Sequence, residues 1–144
     1  LEFRSSSNRP GFGEFEIAYG HFYGGKATNT EIDLSWRPSK YFQLDFEIAS
    51  TMARLPQDNF EVLTNSTGFR ITPTTQLSFN GIAQYDNQSK TIGLNTRFRY
   101  IIKPGSDLFL VLNKGFDRGD DGELRNFRTF KTEAIAKLGW IFQF

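Results

Sequence analysis

The chain has no cysteine, one histidine, one methionine and a net charge of only +1 over 144 residues. Each shortage removes a class of function. Without cysteine there is no disulfide framework and no thiolate metal site. A lone histidine cannot supply an imidazole ligand set. Seventeen basic residues against sixteen acidic ones leave no excess of positive charge for nucleic acid to recognise. No run of about 18 apolar residues exists, so a transmembrane helix is excluded. Helical periodicity is missing along the whole chain. A basic-then-apolar leader is also missing at the start, which reads as a mature form or a fragment.

What the chain does hold is aromatic side chains: 16% of residues, 16 of them Phe. Mean hydropathy is nevertheless −0.44. Large apolar groups in a chain that is polar on average fit an apolar face backed by a polar one. The pattern is period two from end to end. Ile32, Leu34 and Trp36 oppose Glu31, Asp33 and Ser35. Phe42, Leu44, Phe46 and Ile48 oppose Gln43, Asp45 and Glu47. Leu94, Phe98, Tyr100 and Ile102 oppose Asn95, Arg97 and Arg99. About eight strands follow, at 14–23, 28–37, 41–52, 59–71, 76–85, 90–102, 107–115 and 130–144. Alternation slips near 64–68, where a bulge at Gly68 would change the face.

The connections sort the strands into an up-and-down order. Three short ones contain proline: Arg37-Pro38-Ser39-Lys40, Thr72-Pro73-Thr74-Thr75 and Lys103-Pro104-Gly105-Ser106. Proline at the second turn position presets φ for a tight reversal. All three fall at one end of a meander, whereas the longer polar connections at 53–58 and 116–129 fall at the other. Tight turns at one end and longer loops at the opposite end are characteristic of outer-membrane barrels.

The last residues strengthen that reading. In Lys137-Leu138-Gly139-Trp140-Ile141-Phe142-Gln143-Phe144 the apolar side chains alternate, and the chain stops on an aromatic. This resembles the C-terminal assembly signal of bacterial outer-membrane barrels, carried here by Gly139, Phe142 and Phe144. The polar residue usual just before the Gly is Leu138, with Lys137 one step earlier. The opposing faces carry small or polar groups such as Gly20, Gly93, Asn95 and Gly139, which suit a tight interior. The alternative is a soluble lipocalin-like barrel or sandwich with the same alternation turned inside out. Periodicity alone does not separate the two.

Six segments are similar, in order, to one outer-membrane family: Ser6-Ser7-Asn8-Arg9-Pro10-Gly11, Phe22-Tyr23-Gly24-Gly25, Trp36-Arg37-Pro38-Ser39, Ala83-Gln84-Tyr85-Asp86-Asn87, Leu94-Asn95-Thr96-Arg97-Phe98-Arg99-Tyr100 and Pro104-Gly105-Ser106-Asp107-Leu108-Phe109-Leu110-Val111. The family pairs a family-9-like carbohydrate-binding domain with an uncharacterised C-terminal barrel. The resemblance is to the barrel region alone, so it implies a barrel and carries no sugar site over. The chain is then expected to be about eight strands of transmembrane β-barrel that close by themselves, or the last eight of a larger barrel. Residues 1–13 are a lead-in and 14–144 the barrel domain.

Candidate chemistry is sparse. His21 sits among Tyr19, Phe22 and Tyr23, and no serine lies in a nucleophile-elbow pattern. The loop from Asp117 to Glu123 gathers carboxylates near two glycines but departs from the EF-hand spacing. It reads as a solvated loop with, at most, weak Ca²⁺ or lipopolysaccharide-bridging contacts. Its Arg118-Gly119-Asp120 tripeptide and the sequons at Asn65 and Asn87 receive no role. No catalytic residue, cofactor or metal is expected.

Two sets of residues define the expected function. Trp36, Phe42, Leu44, Phe46, Ile48, Phe98, Leu138, Trp140 and Phe142 would face lipid. Glu31, Asp33, Asp45, Glu47, Arg97, Arg99 and Lys137 would line the lumen. Buried charges must be paired or solvated, so Arg97 and Arg99 are expected to meet Glu31 and Asp33 across it. The reading is an anchor or scaffold in the bacterial outer membrane, contributing to a pore if the barrel is larger. Its partners would be the bilayer, lipopolysaccharide and the barrel-assembly machinery. The rivals are a soluble barrel binding a small apolar ligand, and the barrel module of a carbohydrate-processing protein.

Overall fold

The alternating segments become strands, and each strand pairs with the next in sequence. The computed structural model describes residues 1–6, 9–118 and 127–141. Nine strands form one antiparallel sheet in chain order: β1 (Glu2–Arg4), β2 (Gly11–Phe22), β3 (Gly25–Ser39), β4 (Phe42–Arg54), β5 (Asn59–Ile71), β6 (Leu77–Asp86), β7 (Thr91–Lys103), β8 (Ser106–Arg118) and β9 (Phe127–Gly139). No helix occurs among the described residues. The sheet is open, with β1 and β9 as its two edges.

Strands β2 to β9 are the eight expected ones, shifted by a few residues at their ends. The ninth comes from the stretch read as a lead-in: Glu2, Phe3 and Arg4 pair with Glu16, Phe15 and Glu14. A three-residue alternation is too short to stand out in the sequence. Gly68 makes no bulge. It stands in unbroken register between Asp45 and Ile82. The slip in alternation arises because the first half of β5 puts Asn59, Glu61 and Asn65 on the face that carries Phe69 and Ile71 further along.

The turns use the expected chemistry with one displacement. Tyr23 and Gly24 both have positive φ (43° and 79°), as a two-residue type I′ hairpin requires. Pro104-Gly105 joins β7 to β8, with Gly105 at φ 79°. Pro38, however, lies inside β3, and the reversal falls on Lys40 and Tyr41. The ladder shifts between Trp36 and Ser39, which accommodates a residue without an N–H. The Pro turn 72–76 is fixed by the Thr74 hydroxyl, which accepts from the N–H groups of Gln76 and Leu77 (3.3 and 3.1 Å).

Two consequences of this layout matter for function. First, the strands are staggered. One cross-strand row runs from Glu16 in the middle of β2 through Glu31, Ala49 and Thr64 to Asp86, Thr91, Asp117 and Arg128 at the far ends of β6 to β9. Strands of a barrel tilt and stagger in this way. Second, the described residues form no second layer over the sheet. Among the described residues Ala53 is the single buried apolar residue, and Ser35 and Ser106 are the buried polar ones.

Candidate functional site

Residues directly opposite each other in an antiparallel sheet share a face, so the register sorts every side chain. One face is apolar along the Pro-turn half of every long strand, and polar further along β5 and β8, where Asn59, Glu61, Asn65 and Lys114 stand on it. Phe3, Phe15, Ile32 and Ile48 form one row. Trp36, Leu44 and Phe69 form another. Phe42, Ile71, Phe79, Phe98 and Leu110 form a third. Leu77, Tyr100, Leu108 and Leu138 complete the Pro-turn end. The structure therefore brings Trp36, Phe42, Leu44, Phe46, Ile48, Phe98 and Leu138 onto one surface. Among the described residues nothing covers it: Leu34, Trp36 and Leu138 are 50, 52 and 63% exposed.

The C-terminal alternation ends earlier than expected. β9 stops at Gly139, which faces Asp107, because β8 begins at Ser106 and offers no ladder beyond it. Trp140 lies past the strand, with the Lys103 ammonium 4.6 Å from its ring centre. The Ile141 N–H donates to the Ser106 hydroxyl (3.1 Å), tying the tail to the Pro104-Gly105 turn. Phe142 and Phe144 of the assembly signal lie outside the described residues.

The opposite face is charged, with a block of carboxylates on β2 to β4 and acids mixed with bases on β6 to β9. Glu14, Asp33 and Glu47 form one row, next to Glu16 and Glu31. Asp45 sits beside them, accepting from the Ser35 hydroxyl (2.6 Å) and the Gln43 amide (2.8 Å). Basic groups lie further along. Arg70 leads through Asn80 to Arg97 in one row, and Arg99 leads through Phe109 to Lys137 in another. Beside the basic groups, across β7 to β9, Asn95 donates to Asn113 and Asn113 to Glu133. The face is open: a side chain at Gly20 or Gly93 would meet nothing within 4 Å.

The expected pairing across this face is not the one formed. Arg99 takes Asp107 on the neighbouring strand, Nη2 to Oδ2 2.8 Å, and lies 5.0 Å from the Phe109 ring centre. Among the described residues Arg97 has no ion-pair partner, and Glu31 and Asp33 meet no cation. The acidic block is answered instead by Arg4, which pairs with Glu14 and lies 3.4 Å from Glu2. Carboxylate oxygens of Glu31, Asp33 and Glu47 all lie within 4.8 Å of one another. Such a group could hold a hard cation. Its sequence signal was the i, i+2 spacing on β3, but the third member depends on cross-strand register.

Other candidates take structural places. His21 is exposed at the end of β2 and bonds no serine or carboxylate among the described residues. Asn87 lashes the β6–β7 turn to β5: its side-chain oxygen accepts from the Leu63 N–H (2.8 Å), and its amide donates to the Glu61 carbonyl (3.1 Å). The Asn65 amide donates to the Glu47 carbonyl (3.4 Å). The acidic loop lies outside the described residues beyond its first two positions.

One group was missed by sequence reasoning. His21, Lys26 and Arg54 stand in a single cross-strand row on the apolar face, at the end away from the Pro turns. Its signal was available, since His21 and Lys26 flank the Tyr23-Gly24 turn symmetrically. Comparison of the chain with protein-family models, curated proteins and solved structures returned no match.

Proposed function

We propose that this chain forms wall of an outer-membrane β-barrel and acts as a membrane-spanning anchor or scaffold, without a catalytic site of its own. One observation carries the reading. A single-layer sheet presents an apolar face along the Pro-turn half of every long strand, and among the described residues nothing covers it. An exposed patch of that extent marks contact with a partner or a membrane, and the hydrophobic effect favours removing it from water.

The dimensions favour lipid as the cover. Strands of ten to fifteen residues from β2 to β9 match or exceed the roughly 9–11 residues that a tilted strand needs to cross hydrocarbon. Aromatic and basic side chains gather at the Pro-turn rim, where Trp36 packs on Phe42 (5.9 Å between ring centres) and Lys40 lies over Tyr41 (4.9 Å). Transmembrane barrels carry aromatic girdles at such rims. In hydrocarbon the unpaired edge of β9 would leave N–H and C=O groups without partners. The membrane reading therefore requires that edge to pair, so that the sheet closes. On this reading the charged face lines a hydrated lumen, and the Pro turns point to the periplasm.

The test is extraction. Membranes of a Gram-negative host expressing the chain are washed with alkaline carbonate. Retention in the pellet with release only by detergent supports the reading. A soluble chain, or one freed by carbonate, overturns it in favour of a soluble binding barrel.

A further inference from the structure

We propose that His21, Lys26 and Arg54 form a binding site for the phosphate groups of an anionic lipid headgroup, a phosphorylated lipid A being the chemistry that fits. The proposal rests on the membrane reading above and adds a site to it. The three side chains occupy directly opposed positions on β2, β3 and β4, and all are exposed. The Pro-turn half of this face is apolar on every long strand, and a row of three cations at its far end marks where hydrocarbon would end and headgroups begin.

The local structure builds the row rather than scattering it. The type I′ turn at Tyr23-Gly24 returns β3 in register, so that His21 meets Lys26. Gly25 then passes against the Arg54 carbonyl so closely that any side chain there would collide with it. The glycine thus lets β4 bring Arg54 level with Lys26. A groove of about 710 Å³ opens over the row, lined also by Tyr19 and Met52. Lys26 lies 5.7 Å from the Tyr19 ring centre, which holds the ammonium beside the apolar surface. An acyl chain running down the face toward Thr30 and Ser50 would place its phosphate at this row.

The chemistry is phosphate recognition. A guanidinium offers paired donors to phosphate oxygens, and an ammonium adds a point charge. Glu61 is the acid one row further in, opposite Met52, and a carboxylate there disfavours an acidic ligand seated deeper than the row. The row lies at the end opposite the Pro turns, hence on the external leaflet if those turns are periplasmic.

The experiment uses the full chain in phosphatidylcholine vesicles containing bisphosphorylated lipid A, dephosphorylated lipid A or neither, with inorganic phosphate as a separate competitor. Bound lipid is measured after co-purification in detergent. Wild type should retain bisphosphorylated lipid A on the order of tenfold more strongly than K26Q/R54Q does, with dephosphorylated lipid A retained no better by either. Lys131→Gln, on the charged face, should behave as wild type. Incorporation with equal retention by wild type and K26Q/R54Q overturns the site and leaves the membrane reading standing. Retention abolished by millimolar inorganic phosphate assigns the row to free phosphate and overturns the headgroup proposal. Failure of every variant to enter vesicles overturns the membrane reading, and the site with it.

Discussion

The ring of Phe69 on β5 covers Gly81, its direct partner on β6, filling the space that a side chain at position 81 would need. The same ring packs against Phe79, centres 5.1 Å apart. A glycine beneath an aromatic recurs in the sheet. Leu34 overlies Gly13, where an added Cβ would lie 2.8 Å from its Cδ2. Large side chains on this face thus lie along the sheet over small neighbours, which thickens the apolar layer without a second one.

Gly81→Ala should consequently displace Phe69 and cost about 1–3 kcal/mol, the usual range for overpacking. Phe69→Ala in the same chain should remove the clash. Denaturant unfolding of the single and double variants checks this. Strictly additive losses would mean that the ring does not occupy the glycine's space.

The two faces should respond oppositely to charge. Leu44 faces the apolar side between Trp36 and Phe69, toward the Pro-turn rim, and Leu44→Arg should weaken insertion by about 1–2 kcal/mol, less than the same change would cost at the midplane. Asp45→Asn keeps an oxygen to accept from Ser35 and Gln43 and should cost less than about 1 kcal/mol. Folding into liposomes compares them. Equal insertion of the two variants would reverse the assigned faces.

Arg99 and Asp107 should couple weakly. Their side chains are 44 and 21% exposed, so a double-mutant cycle of Arg99→Gln with Asp107→Asn should give about 0.2–1 kcal/mol. Arg97→Gln with Asp33→Asn should be additive, because the two groups do not meet. Coupling of several kcal/mol in the second cycle would instead show a narrow closed lumen that pairs them.

Asp86 closes β6 at the rim, outside the span, and its carboxylate turns into the β6–β7 turn. It accepts from the N–H groups of Ser89 (2.9 Å) and Gln88 (2.7 Å). These bonds, Ser89 first, hold its pKa below the usual carboxylate value. The folded pKa is depressed, so the turn's stabilisation is complete above the unfolded value and disappears as pH falls through the folded one. NMR of the Gln88 and Ser89 amides should give a titration midpoint below that of Asp in an unstructured peptide. A midpoint at or above it would remove the carboxylate from the turn.

Much of this sheet could be read from period two alone. Every long strand and the face of Leu44 or Phe98 follow from alternation, because a strand has only two sides. What failed depended on pairing between distant segments. The strand at Glu2–Arg4 is too short to show a period. The end of β9 at Gly139 is set by where β8 starts, and Arg99 chose Asp107 because a two-residue hairpin brings it near. The acidic triad and the His21–Lys26–Arg54 row likewise join three strands: the Tyr23-Gly24 turn sets His21 level with Lys26, but no local pattern fixes Arg54 beside them or Glu47 beside Asp33.

The two tryptophans offer the most direct measurement of whether the apolar face meets lipid. Trp36 projects from that face near the Pro-turn rim, and Trp140 can be silenced as Trp140→Phe. The full chain carrying this change is reconstituted into vesicles with brominated acyl chains, and Trp36 emission is recorded. Strong quenching relative to unbrominated vesicles is expected, with emission shifted to the blue of that in water. Emission unaffected by bromine, from a chain that is folded and associated with the vesicles, would contradict a lipid-facing surface.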